Sequence, residues 1–557
     1  MRYFRLKAFF LALLGIMISC QKPDPLLPSV ARKGINSITA TFEDGRGDFI
    51  GEPVEDQNRI IVPIPYFYPE DSDNQVTAED LKNMRVKANL DDNVVVDPPL
   101  LFMDLNQENV IKVIDQRKDE HEYIVTGEIR KSSASSILSF SLPEPGLDGI
   151  IDEAGKTILI VTLEDLDSLL AEVRISPHAT ISPDPREEFL DYNEPVELTV
   201  TAHDGVTTSV YTVKQMIPDK LPFGIRPGSA KRLFAKKLKA DLGIMADHLT
   251  GGLAATQDFV VINTRGENSL LLDPITGEVT GELELGGIRG GLTNFYTTAD
   301  DAGNILICNL APNAGSFKIW KSTGGEMEQD PYIEWDDGLP VGRKISVNGS
   351  LDGDAVITAP ILQGGMQFAR WEVTDGALGS ETPEIVTMSG LEKGWTTNAD
   401  IVYTSTDPES DYFVASYSDN TFAWVDGKSD AVHKKLEEIS VNYIMNAVDF
   451  AEFNNASYVT TNWVNSFNWG AADMVWLLDV SSDSDFSGNL ETGMVNAVVW
   501  QTPQDTYGPK AIQPVVENAN GTGDVALVVS DDGYYLYLYF LFTNGYVVGY
   551  QFDCLDI

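Results

Sequence analysis

Short apolar and aromatic runs, each followed by Gly, Asp, Ser or Thr, recur about every fifty residues in the C-terminal part of the chain. An apolar run that ends in turn residues is typical of a strand entering a turn. A period near fifty with several short strands per unit predicts the blades of a β-propeller. The runs at 270–277 and 548–553 extend the series. Spacings of 51, 53 and 52 residues separate Trp320, Trp371, Trp424 and Trp476.

Asparagines recur with nearly the same period and predict where the blades begin. Asn294, Asn348, Asn398 and Asn446 lie 54, 50 and 48 residues apart. The segment that starts at Arg232 is expected either to close the ring as the outer strand of the last blade or to form a linker helix. We predict six blades, with seven as the alternative, that begin near Gly252, Asn294, Ile345, Asn398, Asn446 and Ile512.

The preceding residues contain a second, weaker duplication. Alternating apolar strands, separated by Pro, Gly and Asp turns, occur in two units of about ninety residues. This pattern is typical of immunoglobulin-like β-sandwiches. We therefore expect an all-β chain with one sandwich over 36–131, a second over 132–217 and a propeller over 218–557. Tyr123 and Tyr211 occupy matching places in the two units.

The N-terminal segment has the layout of a bacterial lipoprotein signal. In residues 1–19, basic residues precede an apolar run that is too short to span a bilayer, and a small residue precedes Cys20. Cleavage would leave residues 20–35 as a linker that begins at a lipidated Cys20, and several acyl chains give stable anchoring. The next residues, QKPDP, resemble the export tag of Bacteroides-type surface lipoproteins. We expect lipid anchoring in the outer membrane, facing outside the cell.

The chain is strongly acidic, with 39 basic against 84 acidic residues and a formal net charge of −45. Loss of residues 1–19 would leave 36 basic residues and a charge of −48. Such a surface repels nucleic acid, which is therefore not an expected partner, and an anionic polysaccharide would need a local basic site or a bridging metal. Cys308 and Cys554 are expected either to be buried thiols or to bridge the second and last blades.

Sequence signals for catalysis are sparse. The five histidines show no metal-ligand spacing, and neither a GxSxG elbow nor a phosphate-binding loop occurs. We therefore predict no catalytic residues and no required cofactor. One loop resembles a calcium site, with Asp483, Asp485 and Ser487 at ligand positions, but Met494 stands where a bidentate acid belongs. The alternative for this loop is a solvated acidic turn.

An aromatic segment gives the first candidate binding site. Trp463, Phe467 and Trp469 lie beside asparagines that include Asn465. Flat rings accept the apolar face of a pyranose while amides hydrogen-bond its hydroxyls, so the segment is a candidate for binding neutral glycans. Alternatively, the same residues form an ordinary strand pair whose rings fill a gap between blades.

Propeller geometry gives a second candidate site. The connections that lead into the first strand of each blade gather around one mouth of the central channel. Basic and aromatic groups that converge there would attract a hydroxyl-rich or carboxylate-bearing ligand, unless the arginines pair with acids on the rim. The residues on these connections are His248, Arg289, Arg343, Trp395, Tyr443, Tyr507 and Lys510.

Nearly all of the chain resembles a family of Bacteroides-type surface lipoproteins. The resemblance rests on the lipoprotein signal, on the paired endings YIVTGEI and YTVKQMI, and on segments such as LFAKKLKADLGI and SDYFVASYSDNTFAWVDG. It implies two immunoglobulin-like modules followed by a β-propeller, and a role beside outer-membrane glycan-uptake transporters. It supplies no catalytic residues.

Together these features favour a non-catalytic cell-surface lipoprotein that captures a polysaccharide or oligosaccharide for an outer-membrane uptake system. Two alternatives stay open. One is an adhesion or assembly protein whose propeller binds a protein partner, and the other is a propeller lyase or hydrolase.

Overall fold

The computed structural model describes residues 34–557, except 56, 116, 312–314, 323–325, 397, 418–421, 438–443, 466–472 and 557. Within these residues the regular structure is β-strand, apart from single-turn 3₁₀ helices at Gly286–Ile288, Asp483–Asp485 and Pro509–Ala511. The all-β class is therefore confirmed. No described helix is long and apolar enough to span a membrane. The chain divides into two compact units, Met1–Pro218 and Asp219–Ile557.

The first unit contains two β-sandwiches built to the same plan. Tyr123 and Tyr211 lie at equivalent positions, opposite Ile111 and Leu198 on the neighbouring strand. The first sandwich packs the strands Phe49–Ile50, Ile35–Thr41, Met84–Leu90 and Phe102–Met103 against Glu52–Val54, Arg59–Pro65, Glu120–Arg130, Asn109–Ile114 and Val95–Asp97. The second packs Leu147–Asp148, Ile137–Leu142 and Glu172–Ile175 against Ile150–Asp152, Thr157–Val161, Thr208–Met216, Val196–Thr201 and Thr180–Ser182.

Each sandwich is held by an apolar core that follows from alternating side chains. In Arg59–Pro65 the side chains of Ile60, Val62 and Ile64 are buried, and the residues between them are partly exposed. Thr157–Val161 repeats this alternation in the second sandwich. Because successive side chains of a strand point to opposite faces, the alternation sends one face of each sheet into the core.

The second unit is a closed ring of six sheets. The first strands of consecutive sheets contact each other in chain order, and the first strand of the sixth sheet contacts that of the first. The unit is therefore a six-bladed β-propeller, and the seven-bladed alternative is excluded. From the axis outward, blade 1 comprises Thr250–Ala255, Val260–Thr264, Ser269–Leu272 and Val279–Leu283; blade 2 comprises Tyr296–Ala299, Ile305–Cys308, Phe317–Ser322 and Ile333–Trp335.

Blades 3 and 5 carry additions to the four-stranded plan. In blade 3 two short strands pair with the third strand. In blade 5 a hairpin, Gly488–Asn489 with Met494–Val495, precedes the fourth strand. Blade 3 comprises Ser346–Gly349, Ala355–Pro360, Gln367–Thr374, Ala377–Leu378 and Glu384–Thr387; blade 4 comprises Ala399–Tyr403, Tyr412–Ser416, Phe422–Asp426 and Ala431–Lys435; blade 5 comprises Val448–Phe453, Ala456–Trp463, Met474–Asp479 and Val498–Gln501.

Blade 6 is completed by a strand from the start of the unit. Its strands are Gly523–Val529, Tyr535–Phe542 and Tyr546–Asp553, and Lys231–Lys237 pairs antiparallel with the last of these. The predicted closing strand is therefore confirmed, and the alternative of a helix is excluded for these residues. This pairing covers the outer edge of the last blade, which would otherwise present unpaired backbone groups to other chains.

Each tryptophan of the fifty-residue series lies in the third strand of its blade. Leu271 and Tyr550 lie in the third strands of blades 1 and 6, opposite Val261 and Leu538. A large ring in the third strand packs between neighbouring sheets, so the tryptophan series marks the apolar cores between the blades. The pairs across the second and third strands are Ile307 with Trp320, Ile357 with Trp371, Phe413 with Trp424 and Thr461 with Trp476.

The two cysteines of the propeller are free buried thiols, so the predicted alternative of a bridge between blades is wrong. Cys308 lies in the second strand of blade 2, and Cys554 follows the third strand of blade 6. Burial raises the pKa of both thiols, which keeps them protonated at neutral pH.

Truncation of a repeated tryptophan tests the packing between blades. Trp371 is 1% exposed, its ring lies 5.9 Å from those of Phe317 and Trp335, and its indole N–H donates to the carbonyl of Glu381. We expect Trp371→Ala to lower the free energy of unfolding by about 3–5 kcal/mol, measured by urea denaturation of the whole chain. Met494→Ala, at a side chain that is 72% exposed, is the control and should change it by less than about 0.5 kcal/mol. Equal effects of the two substitutions on the free energy of unfolding would contradict the packing of Trp371 between blades.

Candidate functional site

The first strands of the blades surround the axis of the ring, and a cavity lies at each end of this axis. The wide cavity, about 770 Å³, lies where these strands end, and the entry pocket, about 280 Å³, lies where they begin. Both fall near the range of small-ligand sites. The wide cavity is lined by residues that include Asp258, Asp301, Asn348, Asp449, Glu452 and Asp531. The entry pocket is lined by residues that include His248, Arg265, Phe295, Arg343, Asn398 and Tyr417.

A buried axial cluster, Tyr296, Lys344, Asp400 and Asp524, lies between the two cavities. The ammonium of Lys344 is 2.6 Å from a carboxylate oxygen of Asp524, 3.7 Å from one of Asp400 and 3.0 Å from the hydroxyl of Tyr296. The Tyr296 hydroxyl donates to the same Asp524 oxygen, at 2.6 Å. Since both carboxylates and the ammonium are at most 3% exposed, this network replaces the water that each charge loses on folding.

Three aspartates join the first strands of consecutive blades. Asp400 accepts a hydrogen bond from the backbone N–H of Val448, 3.1 Å away, in blade 5. Asp449 and Asp524 repeat this contact, each at 2.7 Å, with blade 6 and blade 1 respectively. All three are the second residue of their strand. The repeated contact fixes neighbouring blades to one another at the axis and thereby positions the residues of both cavities.

Enclosure in the channel wall weakens the acidity of these aspartates. Burial raises the pKa of Asp449 to about 8 and the pKa of Asp524 to about 6, the latter against the opposing effect of Lys344. Burial also raises the pKa of Asp400. Asp449, which lines the wide cavity, therefore keeps its proton at a pH where surface aspartates are ionised.

The entry pocket has the opposite character. Arg265 and Arg343 are half-buried, and their guanidinium carbons lie 4.7 and 5.8 Å from the centroid of the Phe295 ring. Neither forms an ion pair with any residue that the structure describes. Burial lowers the pKa of both arginines, and the charge of Arg343 lowers the pKa of Arg265 further. The described lining residues of the pocket include no aspartate or glutamate.

Neighbouring side chains hold the pocket in shape. A terminal nitrogen of Arg265 donates to the carbonyl of His248 at 2.7 Å, and the amide of Asn544 contacts the Nδ1 atom of His248 at 3.0 Å. The backbone N–H of Tyr417 donates to the carbonyl of Asn398. The side-chain oxygen of Asn398, a residue only 5% exposed, has no hydrogen-bond partner among the described residues. The pocket thus offers the rings of Phe295 and Tyr417, two guanidinium groups and a buried amide, and Tyr296 and Lys344 of the axial cluster also belong to its lining.

The structure brings only part of the predicted mouth site together. His248 and Arg343 line the entry pocket, whereas Arg289 is exposed and is not among its described lining residues. Trp395 is fully buried in the core of blades 3 and 4, and its indole N–H donates to the carbonyl of Gln367. A ring without exposed surface cannot stack on a ligand, which removes Trp395 from the site.

The remaining mouth candidates lie elsewhere. Tyr507 is 3% exposed, and its hydroxyl is 2.7 Å from that of Tyr550 in the core of blade 6. Lys510 lies 3.8 Å from Asp505 and pairs with this acid. Tyr443 lies outside the described residues.

The aromatic segment is corrected in the same way. Trp463 ends the second strand of blade 5, is 2% exposed and packs against Trp476 with 5.3 Å between ring centroids. Asn465 is buried, and its backbone N–H donates to Asp473. Strand geometry turns the Trp463 side chain inward, so it fills the gap between blades 4 and 5 rather than facing a ligand, as the alternative for this segment predicted. Phe467 and Trp469 lie outside the described residues, as does Cys20.

The loop that resembles a calcium site already has protein partners. The carboxylate of Asp483 lies 3.0 Å from His433 and 3.2 Å from Lys434, and these contacts lower the pKa of Asp483. Asp483–Asp485 forms a single 3₁₀ turn that precedes Ser487. The part of the chain that the structure describes contains no cluster of three or more His, Cys, Asp or Glu side chains suited to a metal.

Arg265, Phe295 and Tyr417 were not predicted as site residues. Arg265 and Tyr417 each follow the second strand of a blade, in blades 1 and 4, and Phe295 precedes the first strand of blade 2. Turns after second strands face the same mouth as the connections into first strands. The sequence signal for Arg265 and Tyr417 is therefore their place directly after the second strand of a repeat.

Removal of the buried lysine tests the axial cluster. Lys344→Met leaves Asp400 and Asp524 buried without their cation, so we expect it to lower the free energy of unfolding by about 3–5 kcal/mol. Lys239→Met, which breaks an exposed pair with Asp247, is the control and should cost less than about 1 kcal/mol. Urea denaturation at pH 7 measures both. An equal, small effect would contradict the proposed role of Lys344.

Asp449 makes stability depend on pH. Its pKa of about 8 in the folded chain, against an ordinary value of 3.8, means that the native state keeps a proton which the unfolded chain releases. The stabilisation from this group is complete below about pH 4 and is lost as the pH rises through about 8.

We expect the free energy of unfolding of Asp449→Asn to fall less than that of the unmodified chain between pH 5 and pH 8, because the amide does not titrate. Denaturation curves at the two pH values measure this difference. Asp337→Asn, at an exposed aspartate of the same unit, is the control and should follow the unmodified chain. Parallel pH profiles for all three proteins would show that Asp449 is ionised throughout.

Comparison with known proteins adds the following similarities. A DUF4623 family protein from Bacteroides eggerthii DSM 20697 is 16% identical, with a TM-score of 0.45 and coverage of 75% of this chain and 98% of that one. The β-propeller domain of Cps50 (Swd1) from Myceliophteria thermophila is 13% identical, with a TM-score of 0.31 and coverage of 55% and 87%. No curated protein matches the sequence significantly.

Models of three families match successive parts of the chain. Residues 15–127 match a domain of unknown function, DUF5018, and residues 137–215 match another, DUF8499. The propeller residues 232–553 match the model described as Domain of unknown function (DUF8500). Because this last match covers more than half of the chain, the protein belongs to the DUF8500 family.

Proposed function

We propose that the protein is a non-catalytic saccharide-binding lipoprotein of the cell surface, and that the entry pocket is its binding site. The observation that carries the proposal is the composition of this pocket. Rings of Phe295 and Tyr417, guanidinium groups of Arg265 and Arg343, and the amide of Asn398 line one cavity on the propeller axis. This is the combination of apolar faces and hydrogen-bonding groups that a sugar needs.

Capture is favoured over cleavage by hydrolysis. Glycoside hydrolysis generally uses two carboxyl groups on either side of the scissile bond. The described lining residues of the entry pocket supply none. The acids of the axial cluster are engaged with Lys344 and Tyr296, below the floor of the pocket. The pocket therefore suits binding and release of an unchanged saccharide.

The rest of the chain suits presentation of such a site at a surface. Cys20 would carry the lipid, and residues 20–35 and the two sandwiches lie between it and the propeller in the chain. Anchored copies side by side would hold a polysaccharide by many weak contacts, which multiplies retention without a tight individual site. Delivery to an outer-membrane uptake transporter would follow from this location.

Affinity electrophoresis in gels that contain single polysaccharides, neutral and acidic, tests the proposal. At least one polysaccharide should retard the protein, and Tyr417→Ala should weaken that retention about tenfold, equivalent to ~1.4 kcal/mol, because a stacking surface is lost. Phe223→Ala, at a 49% exposed ring of the same unit, is the matched control and should leave retention unchanged.

Three results would count against this function. Absence of retardation by the whole panel would contradict saccharide binding. Retention that survives Tyr417→Ala, with both variants folded by circular dichroism, would place binding outside the entry pocket. Release of short products from a retained polysaccharide would establish cleavage instead of capture.

A further inference from the structure

The arginines of the entry pocket differ from the two other half-buried arginines of the propeller. Arg226 forms a bidentate pair with Asp553, and Arg370 pairs with Glu384. Arg265 and Arg343 instead approach one ring, that of Phe295, and make no ion pair with the described residues. In a chain with 84 acidic residues, cations without an acidic partner are an unexpected arrangement for two half-buried side chains.

This arrangement carries a cost in the unliganded protein. Burial of a charge without a partner removes hydration that nothing replaces, and two like charges repel. The lowered pKa values of both arginines reflect this burial, and that of Arg265 reflects the neighbouring charge as well. A bound anion would remove the cost, because it would supply the missing counter-charge to both groups at once.

The pocket is shaped for such an anion. Arg265 is held by its hydrogen bond to the carbonyl of His248, and the face of Phe295 attracts both guanidinium groups. Planar guanidinium groups present paired N–H donors that match the two oxygens of a carboxylate or sulfate. The Asn398 oxygen, unpartnered among the described residues, can accept from a hydroxyl of the same ligand.

Building on the proposed function, we propose that the saccharide is acidic, and that its carboxylate or sulfate group binds between Arg265 and Arg343. The net charge of −45 repels such a ligand from most of the surface. Binding is therefore directed to the entry pocket, where two arginines converge among the described residues. Tyr417 supplies the wall for the sugar ring that bears the acidic group.

Isothermal titration of the full chain with four defined probes tests the inference. Tetragalacturonate carries carboxylates, and its fully methyl-esterified form carries the same rings without charge. A sulfated galactan tetrasaccharide and its desulfated form make the corresponding sulfate pair. We expect at least one acidic probe to bind about tenfold or more tightly than its uncharged form, because charged hydrogen bonds are lost in the latter. Which pair discriminates distinguishes carboxylate from sulfate.

Three arginine variants locate the effect. Arg265→Gln and Arg343→Gln should each weaken binding of the acidic probe about tenfold or more, to the level of its uncharged form. Arg289→Gln is the matched control, since it removes the same charge from the exposed connection between blades 1 and 2, at a residue that is not among the described lining of the pocket. It should change affinity by less than about twofold, because an exposed charge outside the lining of the pocket is screened by solvent and salt.

Thermal unfolding separates a binding role from a structural one. Because each pocket variant removes an uncompensated charge, its unfolding midpoint should equal or exceed that of the unmodified chain. A lower midpoint with unchanged affinity would show that the arginines serve the fold, and would overturn the inference. Equal binding of acidic and uncharged probes would also overturn it while leaving saccharide binding intact. Failure of every probe and of every polysaccharide in the gels would overturn the proposed function itself.

Discussion

The pairing of Lys231–Lys237 with Tyr546–Asp553 is the contact on which the propeller depends. Without this pairing the sixth blade would lack its outer strand, and the two ends of the unit would not meet in one sheet. Arg226 and Asp553 reinforce the junction with a two-fold charged hydrogen bond. Closure also places the six first strands around one axis, so that residues far apart in the chain, such as His248 and Tyr417, line a single pocket.

Two different electrostatic environments lie next to each other along the axis, the entry pocket and the buried axial cluster. In blade 3, Arg343 faces the entry pocket while the next residue, Lys344, is buried between Asp400 and Asp524. The buried lysine has its acids, and the arginine has none among the described residues. The same aspartates bond to the next blade, so the network that stabilises the ring also forms the floor beneath the proposed site.

Features that every blade needs could be predicted from the sequence, and features of one blade could not. The tryptophan spacing located the third strands because large side chains there fill gaps between blades, with Trp424 and Trp476 packing in the one gap between blades 4 and 5. Trp463 was predicted as a ligand-binding residue because its polar neighbours do not indicate which face of the strand it occupies. Arg265 stands once, at one turn, so no period reveals it. Its convergence with Arg343 is a product of ring closure, which only the three-dimensional structure shows.

Hydrogen exchange followed by mass spectrometry tests ring closure most directly. If Lys231–Lys237 is the outer strand of blade 6, its amides that pair with Tyr546–Asp553 should exchange as slowly as those of that strand, and both segments should become exposed together as urea rises. Exchange of Lys231–Lys237 at the rate of an unstructured peptide, while Tyr546–Asp553 stays protected, would contradict closure and with it the shared axis that assembles the entry pocket.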